Sequence, residues 1–307
     1  MKIAFLFPGQ GAQKIGMCKD IYDNFEEARD IYKRASKILG KDIAKLCFES
    51  TDEELNKTSN TQIAILVSSL AICNVLKKYN ISPDVCAGLS LGEYTALIDG
   101  GYLSFEEGLK LVQKRGEIMQ ECNSNEYMMA AVIGLESSAV EQVCKSIEGF
   151  VVPANYNYSM QTVISGDKNA VELASSALKE KGAKRIIPLN TAGPFHTFKL
   201  KDASDKLKLE LEKIHFRKGE IPVLKNLDGL EYKDNEDFVD ILSEHMINPV
   251  RMDKILKNLK DRDIELYVEV GPGKALGGFV KKENKESKAI SVENMDTLNK
   301  LLELVKE

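Results

Sequence analysis

Residues 85–97 read VCAGLSLGEYTAL. Val85-Cys86-Ala87 is a short apolar run of strand type and Tyr94-Thr95-Ala96-Leu97 reads as a helix start, so strand gives way to helix across a serine set between two glycines. Gly88-Leu89-Ser90-Leu91-Gly92 matches G-x-S-x-G, the nucleophile elbow, in the strand-to-helix setting that the motif requires. Small residues at both flanks allow a tight turn that lifts the hydroxyl above the sheet edge, and the helix N-terminus behind it aims N–H groups at a developing oxyanion. The pentapeptide alone also fits a glycine-rich turn with an inert serine; the strand-to-helix context favours the nucleophile.

Ile3–Phe7 is a continuous apolar run closed by Pro8-Gly9, as expected of a strand buried on both faces of a mainly parallel sheet. Helical patterns follow at about 25–39 and 62–79, then a strand at 84–89, then helices near 91–98 and 105–121, the last with a capping box from Ser104 and Glu107. This alternation predicts an α/β sheet. From 127 the order becomes strand 127–133, helix 137–146, strands 150–155 and 161–165, helix 169–181 and strand 185–189. That βαββαβ series is the ferredoxin-like unit. It predicts a small subdomain over 125–190 inserted into a large α/β body made of 1–124 and 191–307. Leu266–Val270, followed by Gly271-Pro272-Gly273, reads as a further buried strand, and the charge run 281–288 as solvated surface.

The 307 residues suffice for one large domain with an insertion or for two ordinary domains. With 43% apolar and 29% charged residues and a net charge of -5, the composition is that of a soluble globular protein with no call for nucleic acid as a bulk partner. The six cysteines show no CxxC or metal-ligand spacing, and Cys73 and Cys86 lie in apolar stretches typical of buried thiols. These features fit a reducing cytoplasm and no metal. The opening MKIAFLFPGQ is too short in its apolar part for a signal peptide or a membrane span.

A serine nucleophile needs a base, and the chain offers three histidines. His196 lies in the rigid segment Gly193-Pro194-Phe195-His196-Thr197, which can hold a ring in a fixed place; His215 sits in a Lys-rich helix end and reads as surface, and His245 in a helical stretch is the weaker candidate. No aspartate stands out as a third member, so a backbone carbonyl is left to orient the imidazole. The loop Phe7-Pro8-Gly9-Gln10-Gly11 fails the dinucleotide fingerprint because Lys14 stands where the third glycine is needed. Beside the elbow, however, it can lend a second N–H to an oxyanion hole. In the helix from Phe105, Arg115 sits against the apolar stripe of Leu109, Val112, Gly116 and Met119. Such an arginine either snorkels outward or turns in to grip a carboxylate with its planar fork.

With these segments together, the chain resembles the malonyl-CoA:acyl-carrier-protein transacylase family from its first strand to its last. Further matches are Asn155-Tyr156-Asn157, Val163-Ile164-Ser165-Gly166, Asn226-Leu227-Asp228-Gly229, Asn248-Pro249-Val250-Arg251 and Glu269-Val270-Gly271-Pro272-Gly273. The resemblance implies an α/β-hydrolase-like large subdomain with an inserted ferredoxin-like small subdomain. It implies Ser90 as the residue that is malonylated, His196 as base and then acid, and the backbone of Gln10 and Leu91 as the oxyanion hole. Arg115 would pair with the free malonyl carboxylate, Phe195 matches the malonyl-selective form of its motif, and a main-chain carbonyl in the segment of His245 would steady His196. His245 is accordingly counted with Arg115 and Phe195 among the substrate-binding residues.

The implied partners are malonyl-CoA and an acyl carrier protein bearing phosphopantetheine, with no bound cofactor, metal, nucleic acid or membrane, for a cytoplasmic monomer. Lys184, Arg185 and Lys274 are candidates for a basic patch meeting CoA or the acidic carrier. The chain departs from the family at Leu89, where histidine is usual, at His245, where glutamine is usual, and at Met252, where tryptophan is usual. The implied reaction is a ping-pong exchange through a malonyl-serine. Its rivals are an acyl hydrolase using the same serine, a stand-alone acyltransferase serving a polyketide synthase, and a scaffold without chemistry. An inward Arg115 has no use in a hydrolase of neutral acyl groups.

Overall fold

Residues 1–191 and 193–306 are described in a computed structural model of the chain; Ala192 and Glu307, both within the expected segment 191–307, lie outside the described residues. The strands are β1 (Ile3–Phe7), β2 (Val85–Gly88), β3 (Tyr127–Ile133), β4 (Val151–Tyr158), β5 (Gln161–Asp167), β6 (Arg185–Pro188), β7 (Val250–Arg251), β8 (Leu266–Val270) and β9 (Lys288–Val292). β1 is apolar throughout and buried throughout because β2 and β8 flank it in a parallel sheet of order β2-β1-β8-β9, covered on both faces. The register pairs Phe7 with Gly88, so the loops after β1 and β2 leave the same sheet edge side by side. Ligand sites of open parallel sheets form at such carboxyl ends.

The helix Thr58–Lys78 has the length and apolarity of a bilayer-crossing segment, yet nearly all of it is buried inside the protein. The helices Glu26–Leu39 and Phe105–Glu121 pack along it, which is why it lacks a polar face. Ser104 accepts a hydrogen bond from the Glu107 N–H, but the Glu107 carboxylate returns to the Ser104 hydroxyl rather than to its backbone, so only the N-cap half of the expected box forms.

The second sheet has the order β6-β3-β5-β4-β7. Its first four strands are antiparallel neighbours in the ferredoxin-like arrangement; β7, from far down the chain, adds to β4 in parallel through Asn155 with Val250 and Tyr156 with Arg251. Period-two alternation divides β3 between two cores. Ala130 and Val132 face the helices Ser137–Ser146 and Lys168–Glu180, whereas Met129 and Ala131 face the main body. β4 and β5 run beyond their expected ends, to Tyr158 and Asp167, with Pro153 taken up at a register shift. Lys288, expected to be solvated surface, is exposed but opens β9.

Candidate active site

The elbow is built by close backbone approach. Leu89 donates its N–H to the Phe7 carbonyl at 3.0 Å, tying the turn to β1. A Cβ on Gly88 would run into the Gly92 backbone, and a Cβ on Gly92 into the Phe7 carbonyl, so both flanking positions require glycine for space. Between them Ser90 adopts φ 52° and ψ -102°, a conformation costly for a side chain, of about 1–3 kcal/mol. Asn226 holds it there: its Oδ1 accepts the Ser90 N–H at 2.8 Å and its Nδ2 donates to the Gly88 carbonyl at 2.7 Å. Asn226→Ala would leave both backbone groups unpartnered and is expected to destabilise the fold by about 2–4 kcal/mol, measured by denaturant unfolding. The Ser90 N–H is thereby occupied, while Leu91 opens the helix Leu91–Asp99, where the first N–H groups have no intrahelical partner, and Gln10 lines the cleft. Leu91 and Gln10 each lie three residues beyond a partner of the Phe7–Gly88 pair.

Ser90 Oγ lies 2.8 Å from His196 Nε2, and His196 Nδ1 lies 3.1 Å from the His245 carbonyl. A carbonyl only accepts, so Nδ1 carries the proton and Nε2 presents its lone pair to the hydroxyl. Burial, then the nearby His245 and Arg115, hold the His196 imidazolium well below the usual 6.5, partly offset by the backbone acceptors of His245 and Asn248. The ring is thus a neutral base at neutral pH. Since the unfolded chain binds the His196 proton more readily, stability attached to this residue falls as pH drops below about 6.5. His196→Gln is expected to flatten that part of the stability–pH curve, and wild-type serine acylation to persist through pH 6.5 before failing at lower pH.

Arg115 is turned inward. It is 2% exposed, donates from one terminal nitrogen to Gln62 Oε1 at 2.7 Å and from the other to Ser90 Oγ at 3.0 Å, and lies over the Tyr94 ring at 5.1 Å. Burial lowers its affinity for a proton, and burial pushes the Tyr94 phenol up to about 12. Among the described residues no carboxylate forms an ion pair with it. A buried guanidinium beside Ser90, with donors to spare, can receive a carboxylate.

The serine opens into a cleft of about 500 Å³ between the sheets, lined by Gln10, Leu89, Met129, Asn155, Asn157, Phe195 and Lys274 among others. Phe195 and Lys274 are therefore at the cleft; Lys184 and Arg185 are exposed at the start of β6 and do not line it. His245, expected to touch substrate, does not line the cleft either: its carbonyl serves His196 while its buried ring turns to Glu93, 2.8 Å from Nδ1 to Oε2. Leu89 takes the neighbouring wall and Met252 is buried in the core behind β1.

Sequence reasoning passed over Gln62, which orients Arg115, and gave Asn226 no role although its motif was noted. Glu269, likewise quoted in its motif without a role, is a cleft-lining carboxyl near the end of β8. Burial raises its proton affinity, and it accepts from the Gly277 N–H and the Ser291 hydroxyl. Its signal was the acidic residue inside an otherwise apolar strand.

The family model for the acyl transferase domain matches residues 4–300. The chain is 41% identical over 310 aligned residues to the malonyl CoA-acyl carrier protein transacylase of Bacillus subtilis (strain 168), spanning 100% of this chain and 98% of that protein. The crystal structure of malonyl CoA-acyl carrier protein transacylase from Clostridium perfringens superposes with a TM-score of 0.96 at 40% identity, covering 100% of this chain and 98% of that one. A malonyl-transacylase in complex with its type II PKS acyl-carrier protein gives 0.95 at 36% identity, with 99% of each chain covered.

Proposed function

We infer, because this chain belongs to the malonyl CoA-acyl carrier protein transacylases of the acyl transferase family, that it moves malonyl groups from malonyl-CoA to the phosphopantetheine thiol of an acyl carrier protein for fatty acid synthesis. The observation that carries the reading is the convergence of two groups on one atom: Ser90 Oγ is bonded to His196 Nε2 at 2.8 Å and to Arg115 at 3.0 Å.

The thioester carbonyl sits over Ser90 with its oxygen toward the Leu91 and Gln10 amides, and the distal carboxylate engages Arg115. As Oγ bonds to the carbonyl carbon, its proton passes to His196 Nε2; the positive ring is steadied by the His245 carbonyl. Collapse of the tetrahedral adduct breaks the C–S bond, and the CoA sulfur leaves with the His196 proton. The carrier thiol then gives its proton to His196, its sulfur attacks the ester, and Ser90 Oγ leaves with the proton restored. Each oxyanion donor is worth about 3 kcal/mol in such a step. Phe195 walls the acyl pocket and Lys274 meets the anionic CoA or carrier at the mouth.

We take residues 125–190 as an inserted subdomain in a body of 1–124 and 191–307, and the chain as a cytoplasmic monomer whose buried thiols suit a reducing compartment. Lys184 and Arg185, outside the cleft, are left as outer contacts for the carrier. Transfer to a holo acyl carrier protein tests the reading. Parallel-line initial-rate patterns with malonyl-CoA and carrier support it; intersecting patterns, or release of free malonate in place of malonyl-carrier, refute it.

A further inference from the structure

Behind the catalytic imidazole lies a second one. The His196 and His245 rings stack with centroids 5.0 Å apart and planes 26° apart, and both are almost fully buried. Glu93, also fully buried, brings Oε2 to 2.8 Å from His245 Nδ1, an approach without the alignment of a hydrogen bond, while Oε1 accepts from the Asn226 N–H at 3.1 Å and the Tyr232 hydroxyl at 2.7 Å. Among the described residues His245 Nε2 has no partner. Three roles thus meet in one residue: its carbonyl orients His196, its ring backs the His196 ring, and its Nδ1 faces a buried carboxylate.

The geometry points to Glu93 and His245 as positioning residues that hold the proton of the stacked pair on His245, away from the base, so that His196 remains free to accept the Ser90 proton. The carboxylate lies against His245 Nδ1, and a charge on either of two rings 5.0 Å apart opposes a charge on the other. The other groups facing His245 act consistently. Arg115, from the helix Phe105–Glu121, is a cation on the His196 side of the stack, and the Tyr94 and Tyr232 hydroxyls are neutral neighbours of the carboxylate. From the packed helix Lys201–Leu211, Lys208 is engaged with Asp240 on the outer face, and Glu244, on the helix of His245 itself, is turned to Asn248.

The inference rests on the acyl-transfer reading and goes beyond it in making a residue outside the cleft set the pH range of the base. His245→Gln keeps the backbone carbonyl and removes the second proton site. With malonyl-CoA as substrate, the acid limb of the serine acylation rate is expected to move up by about one pH unit in this variant. In parallel, the chain has only three histidines, so its ring C–H resonances are assignable with His215→Gln and His245→Gln, and the His196 resonance is expected to titrate higher in His245→Gln by the same amount. A merely structural role would scale the rate equally at every pH. A uniformly lowered profile, or a His196 resonance that titrates at an unchanged pH in a folded variant, overturns the inference. Failure of the wild type to acylate at any pH would instead refute the transfer reading, which keeps the two failures distinct.

Discussion

Ser90→Ala is expected to lose the acyl-enzyme completely and to lower malonyl transfer by roughly four to six orders of magnitude. The size follows from what the hydroxyl does: it forms the covalent bond that divides the exchange into two halves, and neither His196 nor Arg115 can replace it. His196→Ala should fall in the same range, and the double variant should lose little more, since nucleophile and base act as one unit. Neither change should unfold the protein. The elbow is held by Asn226, the Phe7 carbonyl and the close packing of Gly88 and Gly92, none of which involves the two reacting side chains. Steady-state transfer rates with unfolding curves as controls check this. Turnover surviving within tenfold in Ser90→Ala would remove the serine from the mechanism.

Arg115→Ala is expected to lower kcat/KM for malonyl-CoA by roughly two to three orders of magnitude while acetyl-CoA loses much less, so that selectivity collapses. Its guanidinium is buried, lacks a carboxylate partner among the described residues, and stands one hydrogen bond from the nucleophile. On the proposed reading the acyl carboxylate supplies the counter-charge, and truncation removes a charge pair formed only with the right substrate. Arg115→Lys should rescue only part of the loss, because a single ammonium cannot span both Gln62 and the acyl carboxylate as the fork does. Competition between malonyl-CoA and acetyl-CoA for one enzyme sample measures the ratio directly. An unchanged ratio in Arg115→Ala would place selectivity elsewhere in the cleft.

Much of this was legible in the sequence where local pattern and tertiary role coincide. β1, β3 and β8 and the helices Phe105–Glu121 and Ser137–Ser146 have the boundaries expected from their periodicity. Ser90, His196 and Arg115 stood out because each sits in a constrained segment: a glycine elbow, a Gly-Pro turn and an apolar helical stripe. What could not be read depends on pairing across the chain. β7 is two residues long and exists as a strand because β4 offers an edge; β9 begins within a charge run and is secured by β8. Gln62 reaches Arg115 across 53 positions and Asn226 reaches Ser90 across 136, and an uncharged amide carries no spacing signal for either task. The His245 ring was expected at the substrate because its neighbourhood was known and its direction was not. Glu93 faces it at 2.8 Å.

The central claim is that Ser90, deprotonated by His196, takes up an acyl group whose carboxylate is read by Arg115. Its most direct test is peptide-mapped mass spectrometry of the wild-type chain after brief exposure to an equal mixture of malonyl-CoA and acetyl-CoA. The account predicts a malonyl adduct on the peptide containing Ser90, well in excess of acetyl. An unmodified serine with free malonate accumulating, or an adduct carried by another residue, would contradict it.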